Sequence, residues 1–257
     1  MNGMHDKPGH VEMSTTTANP EEIAQFARLA EKWWDTEGEF RPLHQLNPAR
    51  LAYIRDRLSA HFARDPNDPK PLTGLKLVDI GCGGGLLTEP MCRLGARVTG
   101  IDAGAETIDA ARLHAEDMGL DIDYRHILPE DMGRERRRFD VVLNMEVVEH
   151  VADRSLFLET ASKLVKPGGA MVLSTLNRTL KSLALAKIGA EYLLRWVPAG
   201  THDWRQFVRP SELARELTPH GMAIQDLTGL SYNPVDGGWR QSRDLDVNYM
   251  MFATKDA

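Results

Sequence analysis

Short apolar, β-branched runs recur along this 257-residue chain, separated by stretches whose apolar positions fall at helical spacing. The runs are Leu75–Ile80, Ala96–Ile101, Ile122–His126, Phe139–Asn144, Ala170–Thr175, Met222–Leu227 and Val247–Thr254. Runs of this length and composition read as strands. The stretches between them, one opening at Leu86 and another over Ala105–Met118, read as helices. Strand and helix in alternation predict a seven-stranded, doubly wound α/β sheet, whose ligands sit at the carboxyl ends of the strands.

The segments before the first strand follow a different pattern. Residues 1–18 are polar and lack the apolar core of a signal peptide, so they are expected to form a disordered tail. Asn19-Pro20-Glu21-Glu22 then supplies an N-cap, a proline at the first helical position and acids in the first turn, starting a helix expected to run towards Trp33-Trp34. A second start of the same kind, Asn47-Pro48, opens a helix carrying Arg50, Leu51, Ile54 and Leu58. The proline-rich stretch Asp65–Pro71 cannot continue it. The organisation expected is a tail over 1–18, helices covering the ligand site over 19–68, and an α/β domain over 69–257 with a helical insertion after the fifth strand at 178–207.

At the end of the first strand the chain reads VDIGCGGG, residues 78–85, followed by a helical stretch. This strand, glycine turn and helix form the unit that lets a backbone press against a nucleotide. The second strand leads into Asp102, about 20 residues beyond Gly81, the spacing at which an acid accepts hydrogen bonds from a ribose diol. Glycines stand at 81, 83, 84 and 85, and Leu86 takes the position of a dinucleotide fingerprint's third glycine. The motif is instead D-x-G-x-G-x-G, led by Asp79. A pyrophosphate favours bare helix N-terminal amides, whereas S-adenosylmethionine carries an ammonium that Asp79 can hold. The pattern favours S-adenosylmethionine bound through Asp79, Gly81, Gly83 and Asp102; the plainer alternative is a glycine turn that binds nothing, with Asp79 capping a helix.

Composition narrows the setting. At 42% hydrophobic and 26% charged, the chain can bury a core without a disulfide or structural metal. Its two cysteines, Cys82 and Cys92, lack metal-site spacing and suit a reducing, cytoplasmic compartment. A net charge of -6 disfavours nucleic acid as a partner, and the basic run at Arg134 and Arg136–Arg138 reads as a solvated loop.

FDVV at 139–142, then Met145 and EVVEHV, with LVKPGG at 164–169 and the glycine string, resemble the Rossmann-like S-adenosylmethionine-dependent methyltransferases. The flanks resemble one branch. WWD at 33–35, GEFRPLHQLNPARLAYI at 38–54, STLNRT at 174–179, GAEYLLRWVPAGTHDW at 189–204, YNP at 232–234 and DVNYM at 246–250 are similar to the ubiquinone-biosynthesis O-methyltransferases. The likeness extends over nearly the whole chain past residue 20. Departures are Arg41, where the family often has lysine, and Val147-Val148, where a Met-Leu pair is common. The resemblance implies methylation of ring hydroxyls on polyprenylated catechol and demethylubiquinol intermediates, with cofactor contacts at Arg50, Gly81, Asp102 and Met145. It also implies magnesium and association with other enzymes of quinone biosynthesis. Read from the residues alone, Arg50 is a guanidinium able to reach a cofactor carboxylate, or else a surface arginine; Met145 packs on adenine, or else fills core.

Methyl transfer to a catechol needs alignment and an ionised oxygen. Glu146, Glu149 and His150 stand at i, i+3 and i+4, so on a helix they would share one face pointing at the reaction centre. Two readings compete. The three bind a divalent cation that chelates the catechol oxygens, or His150, beside Glu149, takes the proton directly. A polyprenyl substrate resides in a bilayer, and residues 179–198 bear on that. Leu183, Leu185, Tyr192, Leu193, Leu194, Trp196 and Val197 oppose Lys187, Glu191 and Arg195 on a helical wheel, with Lys181 nearby. The stretch suits either an interfacial helix on anionic lipid at the inner face of the plasma membrane or a lid on the active site.

Other classes leave signatures that are missing here. No tyrosine has lysine four residues later, as a short-chain dehydrogenase requires, and Asn144-Met145-Glu146-Val147 is not the motif of a nucleic-acid amino-methyltransferase. A phenol methyltransferase outside the quinone pathway, or a non-catalytic quinone or nucleotide binder, remains compatible with the residues.

Overall fold

The computed structural model describes residues 16–188, 204–233 and 237–256. Its strands are β1 (Lys76–Ile80), β2 (Arg97–Asp102), β3 (Asp123–His126), β4 (Phe139–Met145), β5 (Val165–Leu176), β6 (Met222–Asn233), β7 (Gly238–Ser242) and β8 (Asn248–Lys255). They form one sheet in the order β3, β2, β1, β4, β5, β8, β6, β7. The first five pair in parallel, while β8 runs antiparallel to β5 and β6, and β6 antiparallel to β7. The sheet is doubly wound as expected, but it has eight strands, not seven. The added strand, β7, is a Gly-Trp-Arg-Gln-Ser edge segment paired with the outer end of β6. It has no alternation of apolar residues, so the pattern did not mark it.

Helices cover both faces of the sheet. The residues between strands form α3 (Thr88–Arg93), α4 (Ala105–Asp117), α5 (Pro129–Arg134) and α6 (Arg154–Leu164), with α7 (Leu180–Ile188) and α8 (Pro210–Leu217) after β5. Two helices precede the sheet, α1 (Pro20–Ala27) and α2 (Arg41–His61). Val78, Val142 and Met171 pack in a core with Phe157 and Leu158 of α6 and Leu213 of α8. Their neighbours Leu77, Val141 and Val172 point the other way, against Tyr53, Ile54 and Leu58 of α2. All of these are essentially inaccessible, and each contributes on the order of 1.5–3 kcal/mol by leaving water. Both faces of the parallel strands are therefore buried, and their apolar runs are nearly continuous.

The N-terminal helices differ from expectation. The first ends at Ala27 and is followed by a 3-10 turn at Ala30–Lys32, so Trp33 and Trp34 lie beyond it. The second starts at Arg41, before Asn47-Pro48, and carries Pro48 inside. Asn47 caps nothing: its amide donates to the Leu86 carbonyl at 3.2 Å, tying α2 to the glycine loop. Thr17, in the stretch expected as tail, is buried and donates to Glu130 of α5 from its amide at 2.9 Å and its hydroxyl at 2.8 Å. The rest of that tail, 1–15, and positions 189–198 of the amphipathic stretch lie outside the described residues.

Candidate active site

The strand order reverses between β1 and β4, and a doubly wound sheet opens its ligand crevice at such a point. A cavity of about 410 Å³ lies there, lined by Asp79, Gly81, Asp102, Met145, Glu149 and His150. Below it, the glycine loop turns sharply: Gly81 and Gly83 have φ of 68° and 55°. A Cβ on Gly83 would sit 2.5 Å from the Trp33 ring, so the position excludes larger residues on two counts. The loop is held by Asp102, which accepts from the Gly83 amide at 3.0 Å and the Gly104 amide at 2.8 Å. Burial raises Asp102 above the usual carboxylate range, against the pull of these backbone donors.

Asp79 is buried at the end of β1 and accepts from the Thr88 hydroxyl, at the start of α3, at 2.7 Å. Burial lifts it to about 7, the Thr88 bond opposing and the nearby charge of Asp102 adding to the shift. A buried acid of this kind is poised for a cationic partner.

The N-terminal segment roofs the cavity. Trp33 lies over the glycine loop and stacks on Phe40 with ring centroids 3.9 Å apart. Trp34 donates to the Gly84 carbonyl at 3.0 Å and stacks on His114 at 3.5 Å. Arg50 projects from α2 into the cavity wall, where its Nη2 donates to Glu146 Oε1 at 2.6 Å while its Nε is buried without a hydrogen-bond partner. An acceptor is wanted there, and a cofactor carboxylate has the right chemistry.

The expected helix over Glu146, Glu149 and His150 is absent: β4 ends at Met145, residues 148–150 form a turn, and α6 begins only at Arg154. Asp153 supplies the side-chain cap at that later start. Glu146 has φ of 58°, costing roughly 1–2 kcal/mol for a residue with a Cβ. Its amide donates to the Ser174 carbonyl at 2.9 Å, and its carboxylate accepts from Ser174 Oγ at 2.7 Å besides Arg50. Glu149 is buried, with Oε2 lacking a hydrogen-bond partner; burial first, then repulsion from Glu146, holds it well above its usual range, with His150 opposing. His150 places Nδ1 3.1 Å from Glu22 Oε2, on α1. Burial pulls its pKa down, but the Glu22 bond and the charges of Glu149, Glu22 and Glu146 leave it raised. The three side chains do not fit a bound cation as they stand, since Glu146 is committed to Arg50 and Ser174. Among the described residues no three His, Cys, Asp or Glu form a metal-holding group.

Comparison with known proteins settles the family. The ubiquinone biosynthesis O-methyltransferase of Chelativorans sp. strain BNC1 is 55% identical over 244 residues, 95% of this chain and 96% of the relative. That of Brucella anthropi is 54% identical over 246 residues, 96% of this chain and 99% of the relative. The chain belongs to the ubiquinone biosynthesis O-methyltransferases. Residues 78–173 match the methyltransferase domain family, a span running from β1 into β5. Solved structures agree on the fold. An S-adenosylmethionine-dependent methyltransferase from Clostridium acetobutylicum superposes with a TM-score of 0.59 at 11% identity, covering 93% of this chain and all of its own. Magnesium protoporphyrin IX methyltransferase from Synechocystis PCC 6803, with bound SAH, gives 0.58 at 18% identity, covering 90% and 100%.

This S-adenosylmethionine-dependent O-methyltransferase thus gathers Arg50, Asp79, Gly81, Gly83, Asp102, Met145, Glu146, Glu149 and His150 around one cavity. Three residues of the site carry no local signal of their role: Ser174 and Trp33 lie within the STLNRT and WWD segments, and Glu22 has the sequence setting of any first-turn acid.

Proposed function

We propose that this O-methyltransferase methylates ring hydroxyls of polyprenylated catechol and demethylubiquinol intermediates, with His150 handling the phenolic proton. The observation that carries the reading is the shared cavity: the acids and glycines suited to the cofactor and the Glu149–His150 pair line the same 410 Å³ space. Asp79 would hold the cofactor ammonium, the buried, unpartnered Nε of Arg50 its carboxylate, Asp102 its ribose and Met145 its adenine, with Gly81 and Gly83 allowing close approach. When bound, S-adenosylmethionine supplies an electrophilic methyl on a sulfonium, already a good leaving group.

The protein's task is then alignment and proton removal. The Trp33 and Phe40 roof excludes water, and the His150 imidazole takes the hydroxyl proton, a contribution of about 10²- to 10⁴-fold. Glu149, beside it, stabilises the imidazolium that forms. His150→Ala is expected to lose methyl transfer to a short-chain prenylcatechol by that factor while calorimetry shows unchanged cofactor affinity. Full turnover in this variant would refute the assignment.

A second reading has one observation in its favour. Glu149 Oε2 has no hydrogen-bond partner and is repelled by Glu146, a strain that the magnesium implied by the sequence resemblance would relieve. It requires Glu146 to leave Arg50. Loss of turnover on exhaustive chelation, restored by magnesium, supports this reading; turnover that survives chelation supports direct proton removal.

The membrane belongs to the same proposal. No described helix is long and apolar enough to cross a bilayer. Leu180, at the start of α7, is 78% exposed, which suits peripheral contact with lipid. Lys181, expected to face anionic lipid, instead bonds Asp244 at 2.6 Å and Asp246 at 3.5 Å. Its charge is locally balanced, so apolar entry and the more distal basic residues carry the contact. Association with other enzymes of quinone biosynthesis would use the same peripheral placement, in a reducing cytoplasm.

A further inference from the structure

His150 is held from outside its own loop. Its Nδ1 meets Glu22 Oε2 at 3.1 Å, a contact between residues 128 apart in the chain, with both side chains more than four-fifths buried. One turn along the same helix, Phe26 sets its ring against the imidazole edge-to-face, centroids 5.6 Å apart at 88°. A single face of α1 therefore fixes the ring by a hydrogen bond and by packing. That helix is itself anchored: Asn19 caps it, Thr17 just before it is bound twice by Glu130, and the Thr17 carbonyl accepts from the Ala152 amide at 3.1 Å, two residues beyond His150.

We propose that Glu22 is the positioning residue of His150, fixing the tautomer with the proton on Nδ1 and the lone pair on Nε2. A neutral imidazole carries one proton, and a carboxylate on Nδ1 selects the form that donates to it. Accepting the substrate proton needs a lone pair on the other ring nitrogen, and His150 lines the cavity where that proton would be released. The assignment rests on His150 acting in the reaction. Glu22 touches neither cofactor nor substrate in this role; it acts through the imidazole. The consequence is architectural: the active site is complete only when α1 is seated, since the histidine comes from the turn after β4 and its orienting acid from the N-terminal roof.

Glu22→Ala and Glu22→Gln separate this from a packing role, because the glutamine amide oxygen still accepts from Nδ1–H. Nitrogen-15 spectra of histidine-labelled full-length protein, recorded above the pH at which the same spectra show the His150 imidazolium to have lost its proton, read the tautomer without reference to turnover. The wild type and Glu22→Gln are expected to show His150 as the Nδ1–H form, and Glu22→Ala a mixture. Glu22→Ala should lose roughly 10- to 100-fold in kcat with KM for S-adenosylmethionine unchanged, the usual consequence of removing such a partner, and Glu22→Gln should recover most of it. An unchanged tautomer in folded Glu22→Ala overturns the proposal. So does a loss confined to KM, which would mark Glu22 as part of the roof only. If His150→Ala keeps full turnover, the role of His150 fails, and the tautomer spectra still decide whether Glu22 orients it.

Discussion

Asp79 and Asp102 are the two acids on which cofactor recognition turns, and they respond differently to removal. Asp102→Ala takes away a ribose acceptor and the clamp on the Gly83 and Gly104 amides together. Cofactor affinity should fall by about 2 kcal/mol or more, on the scale of hydrogen bonds to charged groups. Calorimetry on the folded variant checks this, and unchanged affinity would overturn the ribose assignment. Asp79 acts through its protonation. Its pKa in the folded protein, about 7, lies above the ordinary 3.8, so folding favours its neutral form. The associated stability is complete below about pH 4 and is lost as pH rises through 7; Glu149, also raised, acts in the same direction. Cofactor-free protein should therefore melt at progressively lower temperature across that window, and Asp79→Asn should flatten the slope. An unchanged slope would mean that Asp79 is ionised in the folded protein. Both acids were legible in the sequence because a strand, a glycine turn and a second strand set their spacing. Glu22 was not, because its partner lies 128 residues away and nothing local distinguishes it from any first-turn acid.

At the scale of elements, the glycine loop and its tryptophan roof form one unit. Gly83→Ala meets the Trp33 ring and a φ of 55°, the backbone alone costing roughly 1–2 kcal/mol. Lower thermal stability and weakened cofactor binding should appear together; a variant with wild-type affinity would show that the contact between Gly83 and Trp33 does not shape the cofactor site. The segment after β5 is tested by lipid. Co-sedimentation with anionic liposomes should rise with anionic content, fall with salt, and fall with Leu180→Glu. Wild-type protein that never sediments would dispose of the membrane contact. Strands of the parallel sheet were readable because burial on both faces leaves a continuous apolar run. Helix limits were less so: Pro48 is carried inside α2, since Arg41–Pro42 already provide a start and Asn47 is drawn to Leu86. The i, i+3, i+4 spacing of Glu146, Glu149 and His150 suggested a helix, yet Asp153 caps the real one and Arg50 and Ser174 hold Glu146 in a turn. Sequence spacing cannot register a competitor supplied from another part of the fold.

For the whole molecule, a doubly wound sheet supplies the floor of the cavity and the N-terminal residues supply its roof. The sheet's parallel part is the portion shared with the methyltransferase domain family, at residues 78–173, whereas the roof lies outside that span. The likeness to relatives at 53–55% identity covers both, so floor and roof belong to one enzyme family. This combined site is the place where a methyl group passes from S-adenosylmethionine to a ring hydroxyl of a prenylated catechol or quinol. The direct measurement is incubation of the full chain with S-adenosylmethionine and a short-chain demethylubiquinol or prenylcatechol, with the product identified by mass. The expected product is heavier by one methyl group, carried on oxygen, and forms in step with S-adenosylhomocysteine. Cofactor binding without any methylated product from either substrate would contradict this assignment.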